Sequence, residues 1–376
     1  MKKVKLGDVC KIQSGGTPSR GNLNYWNNGN IPWVKISDIK EKYLSRTEEF
    51  ITQEGLANSS AKIFPKETIL YTIFATLGEV SILEIEATTN QAIAGLQIID
   101  ENICKDYLYY YLISLKPFVN EIGRGVAQNN INMQILRNFE IPLPSLEEQK
   151  AIARKLDKVS GLIEKRKTQH AKLSELVKSR FVEVFGNMTH NTHGWDTLLL
   201  DECFEITSSK RILKSEWKDK GIPFLRVRDM VQLATTGKLD NEFFVSEEFY
   251  GSLSDSDGVP KQGDILMSAT STLGKCHVVS SGERFYFKDA DVLRFRAKKA
   301  INPVFFMEQI KTEYIEEQIA RTLGITTVAH FTIKAAKTIN IRLPDIELQN
   351  QFAAFVGQVD KSKYHDEITC EMEVAA

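Results

Sequence analysis

The chain writes one sentence twice. "EIPLPSLEEQKAIARKLDKV" starts at Glu140, and two hundred residues later the text reads "NIRLPDIELQNQFAAFVGQV". Seven of the nineteen positions from Ile141 to Val159 match at that offset, among them Pro144/Pro344, Glu147/Glu347 and Gln149/Gln349. Further pairs keep the same order. "LGDVCKI" (6–12) returns loosely as "LDECFEI" (200–206), "IPWVKISDI" (31–39) as "IPFLRVRDM" (222–230), and "FPKETILYTIFATLGEV" (64–80) as "VPKQGDILMSATSTLGKC" (259–276). The period is far longer than a solenoid unit, so the chain is a duplicated domain and not an array of small repeats. Its 376 residues suit two such domains plus connectors.

Within each copy, short β-branched segments such as "ETILYTIFA" and "DILMSAT" read as strands. "DYLYYYLISLKPFVNEI" and "PVFFMEQIKTEYIEEQIA" each read as one helix. The unit is therefore a mixed α/β domain, and the chain as a whole is α+β. After Pro144, Ser145 and Glu148 form a capping box. Ile152, Leu156, Val159, Ile163, Arg166, His170, Leu173, Val177, Arg180 and Val184 then follow in steps of four and three, up to Gly186. That is heptad spacing, and about 40 helical residues make a rod of ~60 Å. The expected organisation is a first domain (1–144), a central helix (145–186), a second domain (187–344) and a shorter helix (345–376) pairing antiparallel with the central one as a coiled coil. The apolar stripe Leu173, Leu176, Val177 and Phe181 is expected to bind the second domain, a partner subunit or another copy of the chain. The ending "KSKYHDEITCEMEVAA" lacks the heptad, so the last helix is expected to lose its packing near Asp360 and fray or turn away.

Composition excludes several classes. Hydrophobic residues are 42% and charged residues 26% of the chain, and no apolar run reaches the ~20 residues that cross a bilayer. The five cysteines are scattered, without a C-x-x-C pair, which predicts reduced thiols in a cytoplasmic protein and no zinc site. A net charge of −1 excludes a strongly basic non-specific DNA binder but not local basic patches. "NPVF" at Asn302 resembles an amino-methyltransferase motif, but the matching place in the first copy is "CKDY", and Asn302 with Pro303 reads as a helix start. No glycine-rich cofactor turn follows a strand, so no cofactor is expected.

Two similar domains that open with "LGDVCKI" and "SGGTPS", continue with "IPWVKISDI" and close with "IPLPSLEEQKAIARKLD" resemble the specificity subunits of type I restriction–modification systems. The second copy departs in places, with "SSKRILK" where the first has "SGGTPSR". The resemblance implies two target recognition domains in pseudo-twofold relation, each reading half of a bipartite double-stranded DNA site. It also implies helices that space them and dock two methyltransferase subunits, with restriction subunits joining the complex. The chain itself would be non-catalytic. A truncated or inactive structural copy, or a fused restriction–methylation enzyme, are the alternatives.

Base reading needs Arg, Lys, Asn and Gln at base edges, with further donors for phosphates. In the first domain the candidates are Thr17, Ser19, Arg20 and Lys35. In the second they are the basic run Lys210, Arg211, Lys214, Arg226 and Arg228. The paired "TLG" segments add Thr76 and Gly78, and Thr272 with Lys275, although a hairpin turn explains them equally well. The most divergent segment contributes Gln128, Asn129, Asn130 and Asn132 in one copy, Thr327 and His330 in the other.

Overall fold

The computed structural model describes residues 2–124, 130–255, 258–270, 272–288, 290–323 and 330–375. The chain divides into two compact units, Met1–Glu164 and Lys165–Ala376. Each is mixed α and β.

Unit 1 is built on a five-stranded sheet in the order Cys10–Ser14, Ile93–Ile98, Ile69–Thr72, Val80–Leu83, Tyr43–Leu44. All neighbours are antiparallel except the last pair. Ile69–Thr72 and Val80–Leu83 are buried at every position. Both faces of these strands are covered, which explains a continuous apolar run where a half-exposed strand would alternate. The helix Lys105–Ser114 lays Leu108 and Leu112 on one face, among Ile69, Tyr71 and Leu96. A second sheet joins Glu49–Ile51, Ile31–Val34 and Thr88–Thr89. Lys3–Lys5 pairs with Glu140–Pro142 and so ties the first strand to the entry of the central helix.

Unit 2 repeats the plan with four strands, Phe204–Thr207, Val292–Ala297, Ile265–Ser268 and Cys276–Val278, and a second sheet of Phe244–Val245, Ile222–Leu225 and Tyr286–Phe287. The segment that gives unit 1 its fifth strand corresponds here to a helix, Val227–Thr236. Phe305 and Phe306 from the helix Pro303–Ile310 fill the core with Phe204 and Phe295.

Both helices expected as single rods are broken. The first runs Lys105–Ser114 and Lys116–Arg124, because Pro117 has no N–H to continue the ladder. The second runs Pro303–Ile310 and Glu313–Leu323; there the Thr312 hydroxyl donates back to the Gln309 carbonyl at 2.6 Å. Asn302 caps Pro303–Ile310 by accepting from the Val304 N–H, the structural role read from the sequence.

The central helix spans Leu146–Phe185. Its capping box is present: the Ser145 N–H donates to Glu148 at 2.9 Å, and the Glu148 N–H donates to the Ser145 hydroxyl at 3.3 Å. In unit 2 the distal turns of this helix pack on the last helix, Ile346–Ala375. Phe185 meets Phe352 at 5.4 Å between ring centroids, and the Arg180 guanidinium lies 5.9 Å from the Phe355 ring, so the two helices run antiparallel. Among the residues whose side chains are described, Val359 is the last buried one of this helix, in line with packing lost near Asp360, but the expected fraying does not occur: the backbone stays helical through Ala375. Helical hydrogen bonds do not need an apolar stripe.

Of the three occupants expected for the stripe on the central helix, the structure shows the first, the second domain, which takes Val177 and Phe181 out of any partner surface. Val177 and Phe181 are 5% and 3% exposed inside the unit 2 core, where Phe181 stacks on Phe305 at 5.7 Å. Leu173 packs against the same core, while Leu176 remains 48% exposed. Among the described residues, no helix is long and apolar enough to cross a membrane.

Candidate nucleic-acid interface

In unit 1 three connections leave the same end of the main sheet: the turn after Ser14, the 73–79 hairpin loop and the segment before Ile93. Hydrogen bonds join them. The Gly15 and Gly16 N–H groups donate to the Ile93 and Thr89 carbonyls, and the Ile73 N–H donates to Ala92. The Ile131 N–H donates to Ile73, and Phe74 bridges Asn130. The Thr17 hydroxyl bonds Gln91. The Asn90 N–H donates to the Val34 carbonyl, which brings the end of the second sheet, with Lys35, to this place.

Unit 2 reproduces three of these bonds. The Phe331 N–H donates to Ala269, Ala269 to Asp291, and Lys288 to Leu225. The hairpin loop uses the same hydroxyl bonds in both units. Thr72 Oγ donates to the Thr76 carbonyl and accepts from the Glu79 N–H; Ser268 Oγ does the same with Thr272 and Lys275. Gly78 and Gly274 close the turn at φ 80 and 83, where a Cβ is strained.

The side chains on this frame differ. In unit 2, Lys210, Arg211 and Lys214 are exposed and form no ion pair among the described residues. Lys275 is exposed as well, where unit 1 has Glu79, paired with Lys116 at 2.6 Å. Asp291 lies between Lys288 at 2.8 Å and His330 at 3.5 Å. Unit 1 is more self-contained. The Arg20 guanidinium lies 3.7 Å over the Trp26 ring and 2.6 Å from Glu49. That hydrogen bond is the main reason the Glu49 carboxyl is held below its ordinary pKa. Trp26 donates its indole N–H to the Ser19 carbonyl at 3.1 Å; its repeat counterpart Trp217 has no partner for that N–H among the described residues.

Several sequence candidates have structural partners within their own unit. Arg226 caps Val227–Thr236: its N–H and guanidinium both bond Asp229, which is 1% exposed, and Arg228 bonds the same carboxylate. The hydrogen bond with Asp229 is the largest influence raising the Arg226 pKa. Lys35 is the repeat counterpart of Arg226. Its N–H donates to Asp38, and its ammonium lies 2.8 Å from Glu48 and 3.3 Å from Glu49. Asn132 caps Met133–Arg137 by accepting from the Gln134 and Ile135 N–H groups, as Thr332 caps the matching helix. Gly78 is buried beside Lys116 and offers no surface. Gln128, Asn129 and Thr327 lie outside the described residues. Thr17, Ser19, Arg20, Thr76, Asn130, Lys210, Arg211, Thr272, Lys275 and His330 fall on the shared loop cluster or its flank.

Two copies of one profile, the type I restriction modification DNA specificity domain, match residues 1–174 and 192–371. The chain belongs to that family. The specificity subunit of the MjaIX type I restriction enzyme from Methanocaldococcus jannaschii is 32% identical over 254 residues, 62% of this chain. The EcoR124I/EcoR124II specificity subunit of Escherichia coli is 31% identical over 165 residues, 42% of this chain. These alignments span 58% and 40% of the relatives' own lengths, so the chain matches about half of each. In fold, this specificity-family chain is similar to the type I system S subunit from M. genitalium, with a TM-score of 0.54 at 16% identity, covering 100% of this chain and 93% of the other. A second solved chain, from work on complex assembly and conformational transition of the type I system, gives 0.52 at 18% identity, covering 100% and 95%. Among the described residues of this family member, no three His, Cys, Asp or Glu side chains gather as a metal site.

Proposed function

We propose that the chain is the sequence-reading subunit of a type I restriction–modification complex and performs no chemistry of its own. One observation carries the reading: two units share the same hydrogen-bonded loop frame at one sheet end yet present different side chains on it. A frame that is kept while its tips change suits two readers of unlike half-sites in double-stranded DNA. Residues 1–144 and 187–344 would be the two target recognition domains, each facing a major groove. Residues 145–186 and 345–376 would set their separation and dock two methyltransferase subunits, to which restriction subunits add. Lys210, Arg211 and Lys214 supply phosphate or guanine donors in the second domain. The first, whose candidate cations Arg20 and Lys35 are already paired with Glu48 and Glu49, reads through neutral polar groups such as Thr17, Thr76 and Asn130.

The test is a domain exchange. Residues 1–144 are replaced by the matching domain of another specificity subunit, and the methylation pattern of the host is sequenced. One half-site should change, with the other half and the gap between them kept. Changes in both halves, or methylation without any bipartite site, would refute the proposal.

A further inference from the structure

The 73–79 loop of unit 1 carries one large side chain that the fold does not use. Phe74 is 43% exposed and, among the described residues, belongs to none of the apolar clusters of its unit. Its backbone is pinned all the same. It bridges Asn130, and the next residue, Ala75, sits at φ 62, a conformation that L residues avoid. The loop therefore holds an aromatic ring in water at the centre of the loop cluster.

The repeat supplies an internal control. Ile73 and Ala269 make the same two bonds, to Ala92 and Ile131 in one unit and to Asp291 and Phe331 in the other. Thr270 therefore stands where Phe74 does. The hydroxyl staple and the glycine of the turn are the same in both. A threonine satisfies the loop, so the ring is not required by the turn.

We propose that Phe74 is a specificity-determining residue that lays its ring against the C5 methyl of a thymine in the half-site read by unit 1. This rests on the proposed function above. Along the major groove the base edges offer hydrogen-bond donors and acceptors, and the thymine methyl is the apolar group among them. An exposed ring gains by covering that methyl and loses by facing a polar edge. Asn130 and Thr76 beside it can bond the neighbouring edges, so the ring adds an apolar requirement to a polar surface.

The experiment uses the full chain with its methyltransferase partner and duplexes carrying the site found by methylation sequencing. Each thymine of the first half-site is replaced in turn by deoxyuridine, which removes only the methyl. One such replacement should weaken the wild-type complex roughly tenfold. Phe74→Thr should weaken binding to the unmodified site by a similar factor and should be indifferent to that replacement. Deoxyuridine in the second half-site should affect both proteins alike. Because Thr is the residue the other unit uses, the variant should melt as the wild type does, and a thermal melt checks this. Wild-type affinity for Phe74→Thr, an equal loss on thymine and deoxyuridine duplexes, or a first half-site without thymine would each overturn the inference. If the wild-type complex recognises no bipartite site, the proposed function falls and this inference with it. If the site is recognised and Phe74→Thr changes nothing, this inference alone falls.

Discussion

Replacing Gln149 by Met tests what the duplicated segment is for. Gln149 is fully buried in the first turns of the central helix. Its Oε1 accepts from the Cys104 N–H at 2.8 Å, and its Nε2 donates to the Asn102 carbonyl at 2.8 Å and the Pro144 carbonyl at 3.0 Å. One side chain thus satisfies the backbone of three places: the turn before Lys105–Ser114, its first residues and the entry to the central helix. Met is close in volume and offers neither the amide donor nor the carbonyl acceptor. Each lost bond costs about 1 kcal/mol net, and more where the orphaned group cannot reach water, so the sum is roughly 3 kcal/mol. At ~2–4 °C per kcal/mol for a unit of this size, the unit 1 transition should fall by about 6–12 °C. Gln349 has two such bonds, from the Asn302 N–H at 2.9 Å and to the Pro344 carbonyl at 2.7 Å, so Gln349→Met should cost less, about 2 kcal/mol. Urea unfolding with calorimetry measures both. A Gln149→Met cost under about 1 kcal/mol, or a larger cost at Gln349, would refute the staple argument.

Two further outcomes follow from unit 1 and the hairpins. Lys42 reaches Asp106 at 2.7 Å and also bonds Asp157 on the central helix, so a double-mutant cycle of Lys42→Met with Asp157→Asn should give a coupling of about 1 kcal/mol, modest because Asp157 is partly exposed. Burial opposes the Lys42 charge, but the two carboxylates outweigh it and raise its pKa; burial likewise opposes the Asp106 charge, and Lys42 outweighs it and lowers that pKa. A lowered carboxylate pKa means stability that is present above the unfolded value and lost in acid, whereas the raised lysine loses its share only in strong alkali. The difference between wild type and Lys42→Met should therefore be flat from about pH 5 to 9 and shrink below about pH 4. Gly78→Ala and Gly274→Ala should each cost about 1–2 kcal/mol for the left-handed backbone, with Gly78→Ala the worse. A Cβ there would meet Lys116 at 3.2 Å, while the nearest atom at Gly274 is 3.7 Å away; equal costs in thermal unfolding would contradict the packing part of the argument.

What could be read from the sequence was what is local or repeated. The capping box, the start at Asn302 and the length of the central helix rest on residues within a few positions of each other. The duplication was visible because both copies keep the residues that hold backbone groups, Gln149 and Gln349 among them. Other roles were hidden because their partners are distant. Phe181 reads only as part of an apolar stripe with three possible occupants until it meets Phe352, 171 positions on. Lys35 and Arg226 read as DNA-contact candidates because they are basic and follow matching strands, and their internal partners went unread. Their acids stand three residues on, at Asp38 and Asp229, so this capping spacing was present in the text. Phe74 was missed because nothing in "TIFATLG" separates a core aromatic from an exposed one; only the sheet end and the comparison with Thr270 do.

The two units anchor their helix turns by opposite chemistry, and this separates what the fold requires from what it tolerates. In unit 1, Asp157 takes Lys42 and the Tyr110 hydroxyl, at 2.7 Å for the latter. In unit 2 the corresponding position is Gly357, and the helix is held by Phe352 against Phe181, Phe185 and Phe305. Charge and tyrosine serve in one place, aromatic packing in the other, while the glutamine is the same in both. Side-chain surface can be buried by many residue sets of suitable volume. A buried backbone N–H and carbonyl at a fixed spacing need a donor and an acceptor together on one short side chain, and glutamine provides both. The same division holds at the loop cluster: Thr72 and Ser268 keep their hydroxyl because backbone atoms depend on it, and Phe74 and Thr270 differ because none do. Positions that serve the backbone are thus the frame of the domain, and positions that serve nothing internal are where its specificity can lie.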